Sequence, residues 1–314
     1  MHKIKKGYVP VMITPFEEKT GAVDYDGLTR LTELYLRAGV TGLFANCLSS
    51  EMYELSETER LQTVRHVVAV AGGAVTIVAA GTFAGSLQQQ ADFIKRMHDT
   101  GVQGVVIITS VLAAEHESDE VLDERIFQLL KLTGDIKLGL YECPVPYKRI
   151  ISASQLKQFV QTNRIVYLKD TCLDIGQVKA KLAAVKGYNF GLYDAFAEHA
   201  VESLTAGSAG LSCIQGNFFP ELIVWLCDNY DNETLKKEVG MVQQLLIDNM
   251  EVVHNVYPII AKYFLRKRGL NISTFTRRQV GQFTNDVRIK VDKLYEDFSS
   301  IQKALNIKVS GYPF

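Results

Sequence analysis

The sequence predicts a single α/β unit, a (β/α)8 TIM barrel with a C-terminal helical extension. Three observations carry that prediction. Eight short β-rich runs alternate with longer segments of helical period. Eight is the count at which a parallel sheet closes on itself. After the eighth run, about a hundred residues keep helical period with almost no strand signal.

The strands are expected at residues 8–14, 40–46, 75–81, 104–109, 137–141, 165–169, 189–193 and 209–214, each a short apolar run rich in β-branched or aromatic residues. Between them, residues 25–38, 57–71, 87–100, 118–133 and 152–162 place apolar residues three and four apart with charges opposite, so they form outer helices. The punctuation agrees. Ser56-Glu57-Thr58-Glu59 reads as a capping box, and Gly39, Gly72 and Gly101 stand where helices stop. Gly81-Thr82-Phe83-Ala84-Gly85 lacks the lysine of a P-loop and reads as a strand-to-helix turn. Beyond the last strand, helical period recurs at 235–253, 257–267, 276–280 and 286–305. We therefore expect a barrel over 1–217 and an extension over 218–314, packed as one structural unit without a linker.

Composition narrows the function. The chain has 314 residues, 47% of them apolar, and a net charge of -1. There is no electrostatic footprint for nucleic acid or an anionic membrane surface. The basic start Met1-His2-Lys3-Ile4-Lys5-Lys6 is followed by no hydrophobic segment of signal or spanning type, so a cytoplasmic location is expected. The five cysteines (47, 143, 172, 213 and 227) are widely spaced without a CxxC pair, which favours free thiols over disulfides or a metal site. No cofactor or metal is expected.

Lys169 carries the chemistry. It closes the apolar run Ile165-Val166-Tyr167-Leu168-Lys169, where burial disfavours the ammonium and exposes a nucleophilic amine near neutral pH. A Schiff-base lysine needs that property. Tyr141 closes the preceding run, Leu138-Gly139-Leu140-Tyr141. Strand parity places Lys169, Tyr167 and Ile165 inside the barrel with Tyr141 and Gly139, and Val166, Leu168, Leu138 and Leu140 on the helix side. The amine would then stand beside a phenol able to move the protons of carbinolamine formation and breakdown.

The order and spacing of several motifs resemble the dihydrodipicolinate synthase / N-acetylneuraminate lyase family, over nearly the whole chain. They are Thr14-Pro15-Phe16, the segment from Gly39 to Glu51, Tyr141-Glu142-Cys143-Pro144, Leu168-Lys169-Asp170-Thr171 and Ala206-Gly207-Ser208-Ala209-Gly210. The resemblance implies a Schiff base between a 2-oxo acid such as pyruvate and Lys169, Tyr141 as proton shuttle, and a homo-oligomer, dimer or tetramer. The family's Gly-hydroxyl-Thr-Gly-Glu loop is here Cys47-Leu48-Ser49-Ser50-Glu51, so Ser49 and Ser50 are the expected carboxylate-binding hydroxyls. The relay tyrosine after the fourth strand is absent from Thr109-Ser110-Val111-Leu112-Ala113, although Glu115 and His116 follow in that loop. Pro146 replaces the synthase branch's arginine, with Lys148 and Arg149 just beyond. By the same resemblance, Thr171 and Asp194 match lyase-branch positions that face a sugar-derived substrate. The expected activity is thus a class I lyase or aldolase on a 2-oxo acid, with an N-acetylneuraminate-type substrate ahead of synthase-like condensation. A 2-oxo acid dehydratase and a non-catalytic carboxylate-binding barrel are the further alternatives.

Overall fold

The computed structural model describes residues 7–307; residues 1–6, with the basic start of the chain, lie outside that range. Eight parallel strands form one sheet: β1 (Gly7–Tyr8), β2 (Gly42–Asn46), β3 (Thr76–Ala80), β4 (Gly104–Ile108), β5 (Leu138–Tyr141), β6 (Ile165–Asp170), β7 (Gly191–Asp194) and β8 (Gly210–Leu211). From β2 to β8 each strand pairs with the next in sequence, and β1 pairs with β8. Between β1 and β2 the barrel closes through a bridge of Val11 to Phe44 and the bond from Phe44 N to Pro10 O, 2.9 Å. The expected strand at 8–14 is therefore interrupted. Pro10 has no N–H for a ladder, and only its carbonyl takes part.

The outer ring is α1 (Tyr25–Ala38), α2 (Glu57–Ala71), α3 (Leu87–His98), α4 (Asp119–Leu132), α5 (Ala153–Val160), α6 (Ile175–Ala184), α7 (Ala200–Ala206) and α8 (Pro220–Asn229). The capping box of α2 is formed: Ser56 Oγ accepts from Glu59 N at 3.2 Å, and Glu59 Oε2 accepts from Ser56 N at 2.8 Å. Gly39 and Gly72 end α1 and α2 in the left-handed region, at φ 84° and 55°. Helix α8 follows β8 and packs against β1 and α1, so it completes the ring. A boundary at 217/218 would cut the barrel off from its own last helix.

The extension is α9 (Lys236–Asp248), α10 (Met250–His254), α11 (Ile259–Lys267) and α12 (Asn285–Ala304). The helix expected at 276–280 is absent, and that segment is irregular. Its Arg277 and Arg278 N–H groups donate to the Glu51 carboxylate at 2.7 and 2.9 Å instead of to carbonyls one turn earlier. A side chain from the β2 loop has outcompeted local helix formation.

Barrel parity holds at the ends of β5 and β6 but not at the start of β6. Tyr141, Tyr167 and Tyr193 join Val78, Val106 and Phe44 in the inner cluster, while Leu138, Leu140 and Leu168 pack with the helices. Ile165, expected inside, belongs to the helix-side core, and Val166, expected outside, packs on the inner cluster. The reason is a register shift. Ile165 pairs with Leu138 and Tyr167 with Gly139, so Val166 is a bulge that reverses parity behind it. The interior above this bulge is aromatic. Tyr167 stacks on Tyr193 (centroids 5.1 Å apart), and Phe44 meets Tyr141 and Tyr167 edge-on at 5.7 and 6.1 Å. Gly139 makes room for this layer, since a Cβ there would lie 2.9 Å from a Tyr167 ring carbon.

Candidate active site

Parallel pairing brings the two expected catalytic residues together, because Tyr141 and Lys169 are register partners on β5 and β6. Both side chains point into the mouth of the barrel. Lys169 Nζ lies 3.4 Å from the Tyr141 hydroxyl and 4.4 Å from the centre of its ring. The pair is deeply enclosed, with Lys169 4% and Tyr141 2% exposed.

Burial sets the electrostatics. It lowers the Lys169 pKa from 10.5, only partly opposed by the neighbouring Cys47, Cys143 and Cys213 thiols. It also raises the Tyr141 phenol, and the Cys143 and Cys47 thiols add to that. The amine is thus held toward its nucleophilic form, and the phenol toward its protonated one. Of the cysteines that follow strands, Cys47 and Cys143 join the inner cluster. The Cys172 thiol turns away to the Asp174 carbonyl at 3.4 Å.

The expected substrate residues divide. Ser49 is buried in the β2 loop, and its hydroxyl meets the Tyr257 phenol of the extension. The Tyr257 phenol also accepts from Asn217 Nδ2, which donates to Val11 O as well, at 2.9 Å. Ser50 has a different place. Its hydroxyl donates to Met12 O at 2.7 Å and accepts from Cys47 N at 3.1 Å, which ties the loop to the barrel wall. The backbone N–H groups of this loop are also engaged, since Ser50 N and Glu51 N donate to Cys47 O and Leu48 O within a single 3-10 turn.

Thr171 stands at the rim of β6, its hydroxyl donating to Glu142 O at 2.5 Å. Asp194 is not brought to the mouth. It alternates with inward-facing Tyr193 and so lies on the helix side. There Oδ1 accepts from Phe196 N at 2.9 Å, and Oδ2 is 2.8 Å from His199 Nε2. Arg149 is likewise committed, to the Ala114 and Glu117 carbonyls and to Asp119. Lys148 lies at the rim, its ammonium donating to the Thr171 carbonyl at 2.9 Å.

Two buried ionic groups escaped sequence reasoning. Lys181 of α6 bridges Glu142 and Asp170, the residues that follow Tyr141 and Lys169. Lys262 of α11 pairs with Glu51 at 3.0 Å, and both are fully buried. A signal for the first existed: two acids and a lysine at positions whose period places them in apolar layers, which such residues occupy only when paired.

The sequence profile of the dihydrodipicolinate synthetase family matches residues 5–297. The chain belongs to that family. Its members are class I, Schiff-base-forming lyases, and this chain is an enzyme of that class. A 4-hydroxy-tetrahydrodipicolinate synthase of Methanococcus maripaludis strain C7 is 25% identical over 303 residues, covering 96% of this chain and 98% of its own. Among solved structures, the Acinetobacter baumannii dihydrodipicolinate synthase complexed with pyruvate superposes with a TM-score of 0.82 at 22% identity, covering 94% of this chain and 99% of that one. The Thermotoga maritima dihydrodipicolinate synthase gives 0.83 at 19% identity, with 95% and 99% covered. These likenesses place the barrel and its extension within one dihydrodipicolinate synthetase fold.

Proposed function

We propose that Lys169 forms an imine with a pyruvate-type 2-oxo acid and that Tyr141 moves the protons of the reaction. The carrying observation is the buried amine 3.4 Å from a buried phenol at the C-terminal end of the barrel. The free amine attacks the 2-oxo carbon, and the carbinolamine loses water to give an iminium, which accepts the electron pair when a bond to C3 breaks. In the synthetic direction loss of a C3 proton gives an enamine that attacks an aldehyde. Tyr141 gives its proton to the departing hydroxyl and recovers one from the incoming water or substrate hydroxyl. Hydrolysis of the imine regenerates Lys169, so the cycle balances without a redox partner.

For the second substrate we infer carbon–carbon bond formation with a small, carboxylate-bearing aldehyde. The relatives carry synthase names. The residue that favoured a sugar chain, Asp194, spends both carboxylate oxygens on Phe196 N and His199. The Lys148 ammonium at the rim supplies a cation for a carboxylate. Thr171, whose hydroxyl oxygen can still accept, is the group that favours cleavage of a sugar-derived 2-oxo acid as the second reading.

The test is borohydride trapping with a panel of 2-oxo acids, followed by mass mapping. An adduct on Lys169 with pyruvate is expected, and an unmodified Lys169 across the panel would refute the assignment. Incubating the trapped-positive acid with aspartate semialdehyde or with N-acetylmannosamine then separates the two substrate readings by which product forms.

A further inference from the structure

Behind the reacting pair, on the outer face of the same two strands, lies an ionic triad with no part in the chemistry above. Lys181 Nζ is 2.6 Å from Glu142 Oε1 and 2.6 Å from Asp170 Oδ2. The three side chains are 1%, 0% and 0% exposed. The other hydrogen bonds of the carboxylates are also made. Glu142 accepts from Ile151 N and Thr171 N, both at 2.9 Å, and Asp170 accepts from Cys172 N at 2.9 Å.

The placement is what matters. Glu142 directly follows Tyr141, and Asp170 directly follows Lys169. The β5–β6 ladder weakens at this point: Leu138 N to Arg164 O is 2.9 Å where pairing begins, but Glu142 N to Lys169 O is 3.4 Å where it ends. Past the last good rung, the Lys181 ammonium holds the two strand tips together and ties both to α6. A buried triad is a poor source of stability, because desolvating three charges cancels most of their attraction and apolar residues of similar volume do as well. Its particular benefit is a fixed geometry. Two carboxylates around one ammonium carry a net negative charge, and burial with the Asp170 charge lifts the Glu142 pKa to about 7.

We propose that Lys181 is a positioning residue for the Lys169–Tyr141 pair, acting through Glu142 and Asp170. The inference rests on the imine chemistry assigned to that pair. A misplacement of about 1 Å costs on the order of a hundredfold in rate when two groups must meet in one transition state.

The experiment measures the rate of borohydride-trapped imine formation, and of C3 proton exchange of pyruvate in D2O, per folded molecule. Wild type is compared with Lys181→Met and with the triple variant Glu142→Gln, Asp170→Asn, Lys181→Met. The triple variant leaves no buried carboxylate without a counter-charge, and it carries the comparison if the single variant fails to fold. Both rates are expected to fall about 10- to 100-fold at saturating pyruvate, while the half-saturating concentration moves less than about twofold. A merely structural clamp would lower the melting temperature and leave the rate per folded molecule unchanged. Wild-type rates in the folded triple variant would overturn this inference alone. A wild-type enzyme trapped by no 2-oxo acid would overturn the assigned chemistry and this inference with it.

Discussion

Lys169 is poised by its surroundings, since burial makes its ammonium costly and none of the groups that perturb it is a carboxylate. The sign follows for activity. With a pKa below 10.5, more of the amine is unprotonated at neutral pH than in a surface lysine. The rate of imine formation should therefore rise with pH through a midpoint below the ordinary lysine value; a midpoint at that ordinary value, read by timed trapping, would contradict it. Tyr141→Phe removes the proton carrier but spares the nucleophile. Trapping on Lys169 should persist at a rate about 10²- to 10⁴-fold lower, with little change in melting temperature. Lys169→Met should show no adduct at all. This pair was legible in the sequence because it depends on strand ends and parity alone. Ser50 and Asp194 were not: the Ser50 hydroxyl is taken by Met12 O from the first strand's end of the chain, and the Asp194 carboxylate turns to the helix side, where Phe196 N and His199 of the turn after β7 take it.

Among the elements, the union of the β2 loop with the extension is the most exacting. Glu51 receives Lys262, the Thr276 hydroxyl and the Arg277 and Arg278 N–H groups on one buried carboxylate. Lys262→Met keeps the volume but leaves that carboxylate without its counter-charge, at a cost of about 3 kcal/mol in a denaturant titration. Glu51→Gln with Lys262→Met should recover part of the loss, since neither buried charge remains. Gly139→Ala tests packing within β5. The added methyl meets the Tyr167 ring, and a loss of about 1–3 kcal/mol is expected with slower imine formation. Most elements were readable from period and caps, as α1 and α2 show by matching their expected spans. The segment 276–280 was misread as helix because its apolar and polar spacing says nothing of a carboxylate more than two hundred residues away in sequence.

For the molecule as a whole, barrel and extension are joined by polar links as well as by the shared core. Arg277 grips Glu59 through both guanidinium nitrogens, at 3.0 and 2.7 Å. That contact holds the Glu59 pKa at about 2, below its ordinary 4.5. A carboxylate depressed on folding adds stability that is complete above the unfolded value and lost as pH falls from 4.5 toward 2. Glu59→Gln keeps the capping box and removes the charge. It should lower the melting temperature at neutral pH by about 2 °C, for a partly exposed pair worth on the order of 1 kcal/mol, and the gap from wild type should close through that acid window. Among the described residues no helix is long and apolar enough to cross a membrane.

The single extra residue at Val166 has a practical consequence for anyone redesigning this interior. Inward positions on the sixth strand must be counted backward from Lys169 and stopped at Tyr167. Counting on by twos to Ile165 would place that residue inside, whereas it packs on the helix side and Val166 takes the inner face.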